Sequence, residues 1–444
     1  MGAGEFILAA ALAAVAAVAA VATGAAAQPG KAPPAAAVRQ VDPAEVVAEV
    51  RRIIGERYVL PERRPALDAV LAEGVKSGRY AVREPHVLAE RINADLWRVG
   101  RDGHLNFKYD PEKVAMLMAR TAGNRPDRSA FEDQVRRENH GVRQLKLLPG
   151  NVRYLDLAAF EWIGDESTAT LNSAMAFLKG GDAVIIDLRS NGGGSSGAVH
   201  HLISHFLEPG RPLVTFHRAG EASPLLKSLP GLSTMVGKPL YVLTSGGSAS
   251  ASEEFVGHVA GYKIGEIVGG KTAGAAFNNA MYAIEGGFEL SVSEGRAVLA
   301  STGKDWEGVG IAPTIEAPVE AALEIAHVHA LRKLAAASDP VRRRRIEALA
   351  AGLEAVSRPG KPAAALADYA GTYGDRRILV EGGKLRYREE KRPPILLVPM
   401  GGHLFTFAEN PSLRLTFQPS GGRIAAFDLG LADGPVQGRY ERTP

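Results

Sequence analysis

The sequence predicts an α/β protein in three parts: a helical bundle over residues 42–115, an α/β core over 148–320 and an antiparallel β-domain over 363–444. The first observation behind this is the helical spacing of apolar side chains after residue 42. The second is an alternation of apolar strands and helices between 151 and 268, which is typical of a largely parallel sheet. The third is a series of short alternating runs separated by Gly-Gly pairs near the C-terminus, which is typical of hairpins.

The boundaries of the bundle and core follow from local signals. Asp42-Pro43 followed by Glu45 is typical of a helix N-cap, a first-turn proline and a capping-box acid. In the core we expect strands at 151–160, 183–188, 239–244 and 264–268, and helices at 167–178 and 251–260. Helical spacing returns in 321–362, which ends in a Pro/Gly linker before the β-domain.

An apolar stretch from Phe6 to Ala22, followed by three alanines, has the outline of a signal peptide. We therefore predict a signal peptide over 1–27, a linker over 28–41, and export to the periplasm or beyond the cell. The first five residues lack Lys and Arg and contain one acid, so an uncleaved signal acting as a membrane anchor stays open.

Composition excludes several classes of function. The 444 residues include no cysteine, which excludes disulfides, thiolate metal sites and cysteine nucleophiles. The formal net charge is +3, so nothing indicates the basic field of a nucleic-acid-binding protein. The run Arg342–Arg345 sits among Ala, Leu and Glu at helical spacing, and we interpret it as a solvated helix face.

Three hydroxyls, those of Ser248, Ser250 and Ser252, stand where a strand passes through small residues into a helix. Backbone N–H groups and the positive end of the helix dipole can stabilise an oxyanion at such a position. The segment therefore suits an acyl-transfer nucleophile, although a cap and linker is the alternative. Upstream, Asn191 is followed by three glycines whose N–H groups can bind an anion.

The remaining candidates are individually weak. His104 lies in a turn after the bundle, and Glu307 precedes a short apolar run. His201 and His205 stand four residues apart on a predicted helix and could hold a metal, but a partly exposed helix face explains them. His258 is interpreted as a packing residue.

The order of these segments resembles the tail-specific, or C-terminal processing, protease family. The motifs are Asp-Gly-His, Asp-Leu-Arg-x-Asn-Gly-Gly-Gly, Ser-Ala-Ser-Glu, Gly-Gly-Lys-Thr-x-Gly and Glu-Gly-Val-Gly-Ile-x-Pro, spread over residues 42–320. The resemblance implies a crotonase-like or ClpP-like core. It also implies that Ser250 is the nucleophile, and that N–H groups of Gly192 or Gly193 and of Ala251 form the oxyanion hole.

The chain departs from the better-known branch of that family, which uses a catalytic lysine. Ala275 stands at the lysine position, and Lys271 is the only nearby substitute. The other branch, similar to the tricorn protease core, uses a histidine base oriented by a glutamate, which implies His104 and Glu307 here. That branch has a serine before its histidine, where this chain has Gly103.

A second departure is the short stretch of chain between the bundle and the core. Residues 110–150 are too few for the PDZ domain of many processing proteases. The layout is similar to the shorter family members related to the retinoid-binding repeat of photoreceptors, which bind apolar ligands.

The predicted function is thus an exported serine endopeptidase that needs no metal or cofactor and acts on peptides or unfolded protein tails. An inactive family member that binds a peptide or apolar ligand is the alternative. A third interpretation makes the β-domain an adaptor on a scaffold core. The sequence does not indicate an oligomeric state.

Overall fold

The computed structural model describes residues 41–121, 129–218 and 224–443. The predicted signal peptide lies outside the described residues, as does all but the last residue of the predicted linker. No helix in the described ranges combines the length and the apolar character needed to cross a membrane. The described helices are α1 (Pro43–Arg57), α2 (Arg64–Lys76), α3 (Pro85–Gly100), α4 (Pro111–Thr121), α5 (Ser129–Arg137), α6 (Asp165–Lys179), α7 (Ser196–Ile203), α8 (Ala251–Tyr262), α9 (Ala322–Ala336), α10 (Pro340–Ser357) and α11 (Leu366–Tyr369).

The strands fall into three sheets. They are β1 (Asn106–Tyr109), β2 (Val142–Leu148), β3 (Val152–Leu157), β4 (Ala183–Asp187), β5 (Pro212–Arg218), β6 (Leu225–Lys227), β7 (Leu240–Thr244), β8 (Glu266–Gly269), β9 (Phe277–Ile284), β10 (Phe288–Leu299), β11 (Ile315–Glu316), β12 (Gly371–Tyr373), β13 (Arg376–Glu381), β14 (Lys384–Glu389), β15 (Ile395–Gly401), β16 (Leu404–Phe407), β17 (Leu413–Ser420), β18 (Arg423–Leu431) and β19 (Val436–Glu441).

The chain divides into two compact units. The first unit comprises the residues up to Arg128 together with Thr215–Pro224 and Ala276–Val298. The second unit comprises Ser129–Val214, Leu225–Ala275 and Leu299–Pro444. The segment that contains β9 and most of β10 therefore groups with the N-terminal residues, although the sequence analysis placed it inside the core.

The first unit contains the predicted helical bundle and a small antiparallel sheet. Asp42 caps α1 by accepting a hydrogen bond from the N–H of Ala44 at 2.9 Å, and Pro43 occupies the first turn as predicted. The apolar stripe of α1 is buried, from Val46 to Ile54. The sheet was not predicted: β10 pairs with β1 on one side and forms a hairpin with β9.

The central sheet of the second unit has the strand order β11-β8-β7-β4-β3-β2. All neighbours are parallel except the edge pair of β2 and β3. Every residue of β4 and β7 is buried, as expected for strands covered on both faces. The predicted largely parallel α/β core is confirmed.

Helices α9 and α10 belong to the same hydrophobic cluster as the central sheet. The break between them falls at Asp339, which caps α10 by accepting hydrogen bonds from Val341 and Arg342. All four arginines of the run Arg342–Arg345 are exposed. Two of them pair with acids, Arg342 with Asp182 at 2.7 Å and Arg345 with Asp433 at 3.1 Å. The predicted solvated helix face is confirmed.

The C-terminal residues form the predicted antiparallel β-domain, in which each strand from β12 to β19 pairs with the next. The first and last strands also meet, since Tyr373 forms an antiparallel bridge with Arg442. The interior is a cluster of aromatic side chains in which Tyr369, Phe405 and Phe427 are fully buried. Such rings bury large apolar areas and give the domain a hydrophobic core of its own.

Candidate active site

The nucleophile loop, residues 245–250, joins the end of β7 to the start of α8. Ser250 ends the loop as the N-cap of α8, with φ 56° and ψ −121°. Positive φ is uncommon outside glycine, and a strained residue persists only where its surroundings fix it. A strained serine on a strand-to-helix turn is the arrangement that exposes a nucleophile in other hydrolases.

The other two serines of the motif have different surroundings. Ser248 is fully buried, and its hydroxyl donates to Leu188 O at 2.7 Å and accepts from Ser245 N at 3.1 Å. Ser252 is also fully buried, on the first turn of α8. Ser250 alone of the three is half-buried.

The glycine nest, residues 191–194, follows β4 and is tied to the nucleophile loop. Asn191 is fully buried and donates from Nδ2 to Leu157 O at 2.9 Å. Its backbone carbonyl accepts the N–H of Ala249 at 3.1 Å, and its Oδ1 accepts the N–H of Gly193 at 2.9 Å. One asparagine thus fixes both the nest and the residue before Ser250.

Gly193 faces Ser250 directly. It has φ 112°, and a Cβ added there would lie 2.7 Å from Ser250 Cβ and 3.1 Å from the backbone nitrogen of Ala251. Any larger residue would displace the nucleophile, so this position requires glycine for both conformation and space. Ser250, Gly193 and Ala251 are therefore brought together, as the predicted site requires.

The three predicted oxyanion-hole donors differ in their surroundings. The N–H of Ala251 lies at the N-terminus of α8, where the first N–H groups of a helix have no intrahelical acceptor. The N–H of Gly193 is engaged by Asn191. Gly192 is exposed, and no atom lies within 4 Å of the position of a Cβ on it.

Glu253 is a residue of the candidate site whose position the sequence reasoning missed. It is fully buried on α8 and accepts four hydrogen bonds. One oxygen binds the N–H groups of Ser250 at 3.0 Å and Ala275 at 2.7 Å. The other binds the hydroxyl of Thr272 at 2.7 Å and the N–H of Gly274 at 2.6 Å. The signal was present in the sequence, because Ser-x-x-Glu at a helix start is a capping box.

The loop held by Glu253 in turn holds the segment that carries Glu307. Gly308 N donates to Gly274 O at 2.9 Å, and Ile311 N donates to the hydroxyl of Thr272 at 2.7 Å. Glu307 is half-buried beside the buried Trp306. A continuous set of hydrogen bonds therefore connects the backbone of Ser250 to the Glu307 segment.

His104 lies in the first unit, in the turn between α3 and β1. Its N–H donates to Asp102 Oδ1 at 2.8 Å, and its carbonyl accepts from the hydroxyl of Ser291 at 2.6 Å. Asp102 Oδ1 lies 3.7 Å from His104 Nδ1, and the His104 side chain is 29% exposed. Ser250, Gly192, Gly193, Ala251 and Glu307 lie in the second unit.

Lys271 is the alternative candidate for the base, and His201 and His205 are the candidates for a metal site. Lys271 is exposed. His201 Nε2 bonds Asn172 Oδ1 at 2.8 Å, and His205 Nδ1 bonds the hydroxyl of Thr234 at 2.9 Å. Burial lowers the pKa of His205 to about 4 and also lowers the pKa of His201.

The expected partly exposed face at these two histidines is wrong, because both are buried, His201 on α7 and His205 two residues after its end. Helix α7 packs against α6 and α8. His258 is fully buried on α8, in keeping with a packing role.

The central core is the part of the chain that matches a known protein family. Residues 151–317 match the family model of peptidase family S41. This segment is therefore similar to the peptidases of family S41. The S41 segment contains Ser250, the glycine nest and Glu307, and the predicted resemblance to the C-terminal processing proteases is confirmed at the level of the family.

Curated relatives match over the same region. A probable CtpA-like serine protease of Staphylococcus epidermidis is 27% identical over 168 residues, which are 37% of this chain and 33% of that protein. Its counterpart in Staphylococcus aureus is 25% identical over 197 residues, 43% of this chain and 39% of that protein. The chain thus spans about a third of the length of these relatives.

Among solved structures, the chain is similar to a photosystem II D1 C-terminal processing protease, with 18% identity and a TM-score of 0.45. The likeness covers 63% of this chain and 94% of that one. It is too distant to bear on function.

Proposed function

We propose that this chain is an exported serine endopeptidase that cleaves peptides or unfolded protein tails, with Ser250 as nucleophile, His104 as general base and acid, and Glu307 as the carboxylate that orients His104. The observation that carries the proposal is the strained conformation of Ser250 at the start of α8, against the glycine nest. The match of residues 151–317 to peptidase family S41 supports it.

In the first half of the reaction, the imidazole of His104 takes the proton of the Ser250 hydroxyl as Oγ attacks the carbonyl carbon of the substrate. The carbonyl π electrons move to oxygen, and the N–H of Ala251 with an N–H of the glycine nest stabilises that oxyanion. The C–N bond then breaks, the imidazolium gives its proton to the leaving amine, and an ester remains on Ser250.

In the second half, His104 takes a proton from water as the water oxygen attacks the ester carbonyl. The C–O bond to Ser250 breaks, and the imidazolium returns the proton to Oγ. The products are a carboxylic acid and the free serine. Each step uses only groups of this chain, the substrate and one water molecule, so the proposal requires no cofactor.

The experiment is covalent labelling of the purified mature chain with a fluorophosphonate probe, located by peptide mapping. We expect the label on Ser250 and no label on the Ser250→Ala variant. Labelling should be lost in His104→Ala, which removes the base, and weakened in Glu307→Gln, which removes the carboxylate that orients the base. Ser252→Ala is the matched control, because its hydroxyl is buried and forms no hydrogen bond with the described residues. It should be labelled like the wild type.

A folded wild-type chain that takes no label would contradict the proposal. It would favour the inactive, ligand-binding alternative, which is motivated by Ala275, by Gly103 and by the lack of room for a PDZ domain. Export is tested separately by N-terminal mapping of the native protein, where cleavage after Ala27 is expected.

A further inference from the structure

Asp102 is a buried carboxylate that the proposed mechanism has not used. It lies two residues before His104 in the same turn and is only 2% exposed. Its Oδ1 accepts the backbone N–H of His104 at 2.8 Å and lies 3.7 Å from the Nδ1 atom of the same residue. A buried carboxylate is costly unless it is paired, so its position beside an imidazole needs a reason.

The surroundings of Asp102 in the first unit keep it charged. Burial opposes its ionisation, but the hydrogen bond from the N–H of His104 and the nearby imidazole of His104 and hydroxyl of Ser293 outweigh burial and hold the pKa of the carboxyl below its usual range. Tyr58, which is fully buried, also faces the carboxylate, and burial with the charge of Asp102 raises the pKa of Tyr58. Arg63 in turn faces Tyr58.

The position of this carboxylate is fixed from two sides. Ser293 on β10 is fully buried, and its carbonyl accepts the N–H of Val59 at 2.8 Å. Ser291 on the same strand donates to the carbonyl of His104 at 2.6 Å. The strand therefore holds the backbone of His104 and also places Ser293 near the carboxylate of Asp102.

We propose that Asp102 is a positioning residue for His104. The carboxylate lies 3.7 Å from Nδ1, and its charge stabilises the imidazolium that forms during acylation, in addition to the carboxylate of Glu307 proposed above. Because Asp102 and His104 share one turn, their relative position is set locally. The inference rests on the proposed function for its catalytic consequence, but the coupling between the two side chains is a property of the first unit alone.

The first measurement is the NMR titration of His104 in the whole chain, with its resonance assigned by loss in His104→Ala. Removing a neighbouring negative charge disfavours the imidazolium, so the titration midpoint should fall by about one pH unit or more in Asp102→Asn. Asn retains an oxygen for the N–H of His104, so the turn should persist. An unchanged midpoint would overturn the proposal.

The second measurement is the rate of fluorophosphonate labelling as a function of pH. Labelling requires neutral His104, so the acid limb of the profile should move to lower pH in Asp102→Asn, while the plateau rate falls by about 10²-fold or more. Asp102→Glu should recover part of the plateau rate. A plateau and acid limb equal to those of the wild type would count against a positioning role.

Two further variants keep the test decisive. Asp110→Asn is the matched control, because Asp110 is a half-buried residue of the same unit that accepts the N–H of Lys113, and this variant should leave the profile unchanged. If Asp102→Asn fails to fold, Asp102→Ser replaces it, because serine also removes the charge and keeps an oxygen for the N–H of His104, and an unshifted midpoint there would overturn the proposal. A wild-type chain that shows the coupling but takes no label would refute the proposed function and not the coupling.

Discussion

The C-terminal sheet and the nucleophile loop both contain residues with positive φ, but the residues that carry it differ. In the sheet most of them are glycines, including the pairs Gly382-Gly383 after β13 and Gly421-Gly422 after β17, and Glu390 after β14 is an exception. A Cβ added to any of these four glycines would meet no atom within 4 Å. In the nucleophile loop the conformation falls on Ser250, a residue with a side chain.

In the glycine turns the residue itself favours positive φ, whereas at Ser250 the surroundings impose it. A glycine pair between two strands adopts positive φ without steric cost. Ser250 pays a conformational cost of about 1–3 kcal/mol. Its N–H is bound by Glu253, the preceding N–H of Ala249 is bound by Asn191, and Gly193 packs against its Cβ. Strain maintained in this way indicates a functional position.

The largest expected combined effect on stability and labelling comes from Glu253→Gln, which removes the charge that holds the nucleophile loop. Each carboxylate oxygen accepts two hydrogen bonds, so an amide nitrogen in either position would face donors. We expect the free energy of unfolding to fall by about 3 kcal/mol and labelling of Ser250 to slow by about 10²-fold. Thermal unfolding and labelling kinetics measure the two effects.

The adjacent acid supplies the control. Glu254 is buried on the same helix, but it accepts a hydrogen bond from the Ser196 hydroxyl and none from residues 272–275. Glu254→Gln should lower stability and leave the labelling rate of the folded protein unchanged. Equal slowing in both variants would mean that any buried charge on α8 matters, and that Glu253 has no special role.

The next effect concerns the C-terminal sheet. Phe417 is almost fully buried and contacts Tyr369, Phe405 and Phe427 in the aromatic cluster. Phe417→Ala should cost about 3–5 kcal/mol of stability by leaving a cavity. We expect no change in the labelling rate per folded molecule, measured below the unfolding transition. A slower rate would show that the β-domain contributes to the site and would weaken the contrast between the two regions.

The same contrast explains which parts of the fold the sequence predicts. The hairpins of the β-domain and the βαβ rhythm of the core follow from local signals, namely Gly-Gly pairs and the spacing of apolar residues. The hairpin of β9 and β10 was missed, although Gly286-Gly287 between two alternating runs is the same signal. The bridge between Tyr373 and Arg442 could not be predicted, because it depends on the register of eight strands.

The candidate site divides in a similar way. Ser250, His104 and Glu307 come from motifs that the family resemblance orders along the chain. The role of Asp102 depends on its burial against Ser293, which is distant in sequence, and that of Glu253 depends on the fold of residues 272–275. Contacts of this kind need tertiary structure, because no local pattern specifies the partner.

A smaller effect is expected at Gly193, where space rather than charge is decisive. Gly193→Ala places a Cβ 2.7 Å from that of Ser250 at an unfavourable φ, so the nucleophile must shift. A misplacement of this kind should slow labelling by about 10- to 100-fold. Gly246→Ala is the control in the nucleophile loop, since a Cβ there meets no atom within 4 Å. If both variants label alike, the close approach has no functional consequence.

The smallest effect tests the strain itself, through Ser250→Gly compared with Ser250→Ala. Both variants lack the hydroxyl and should take no label. Alanine keeps the steric cost of positive φ, whereas glycine does not, so the glycine variant should be more stable than the alanine variant by about 1 kcal/mol. Chemical denaturation of the two variants gives the difference.

The glycine turns of the C-terminal sheet provide the mirror experiment. Gly421→Ala introduces a side chain at φ 59° and should destabilise the protein by about 1 kcal/mol, with labelling unchanged. The glycine should thus stabilise both positions relative to alanine, although only one of them has glycine in the natural sequence. The presence of serine at position 250 would then be explained by its hydroxyl, because the backbone conformation alone favours glycine there. If Ser250→Gly is no more stable than Ser250→Ala, the conformation of Ser250 carries no strain and the argument from the backbone to the nucleophile fails.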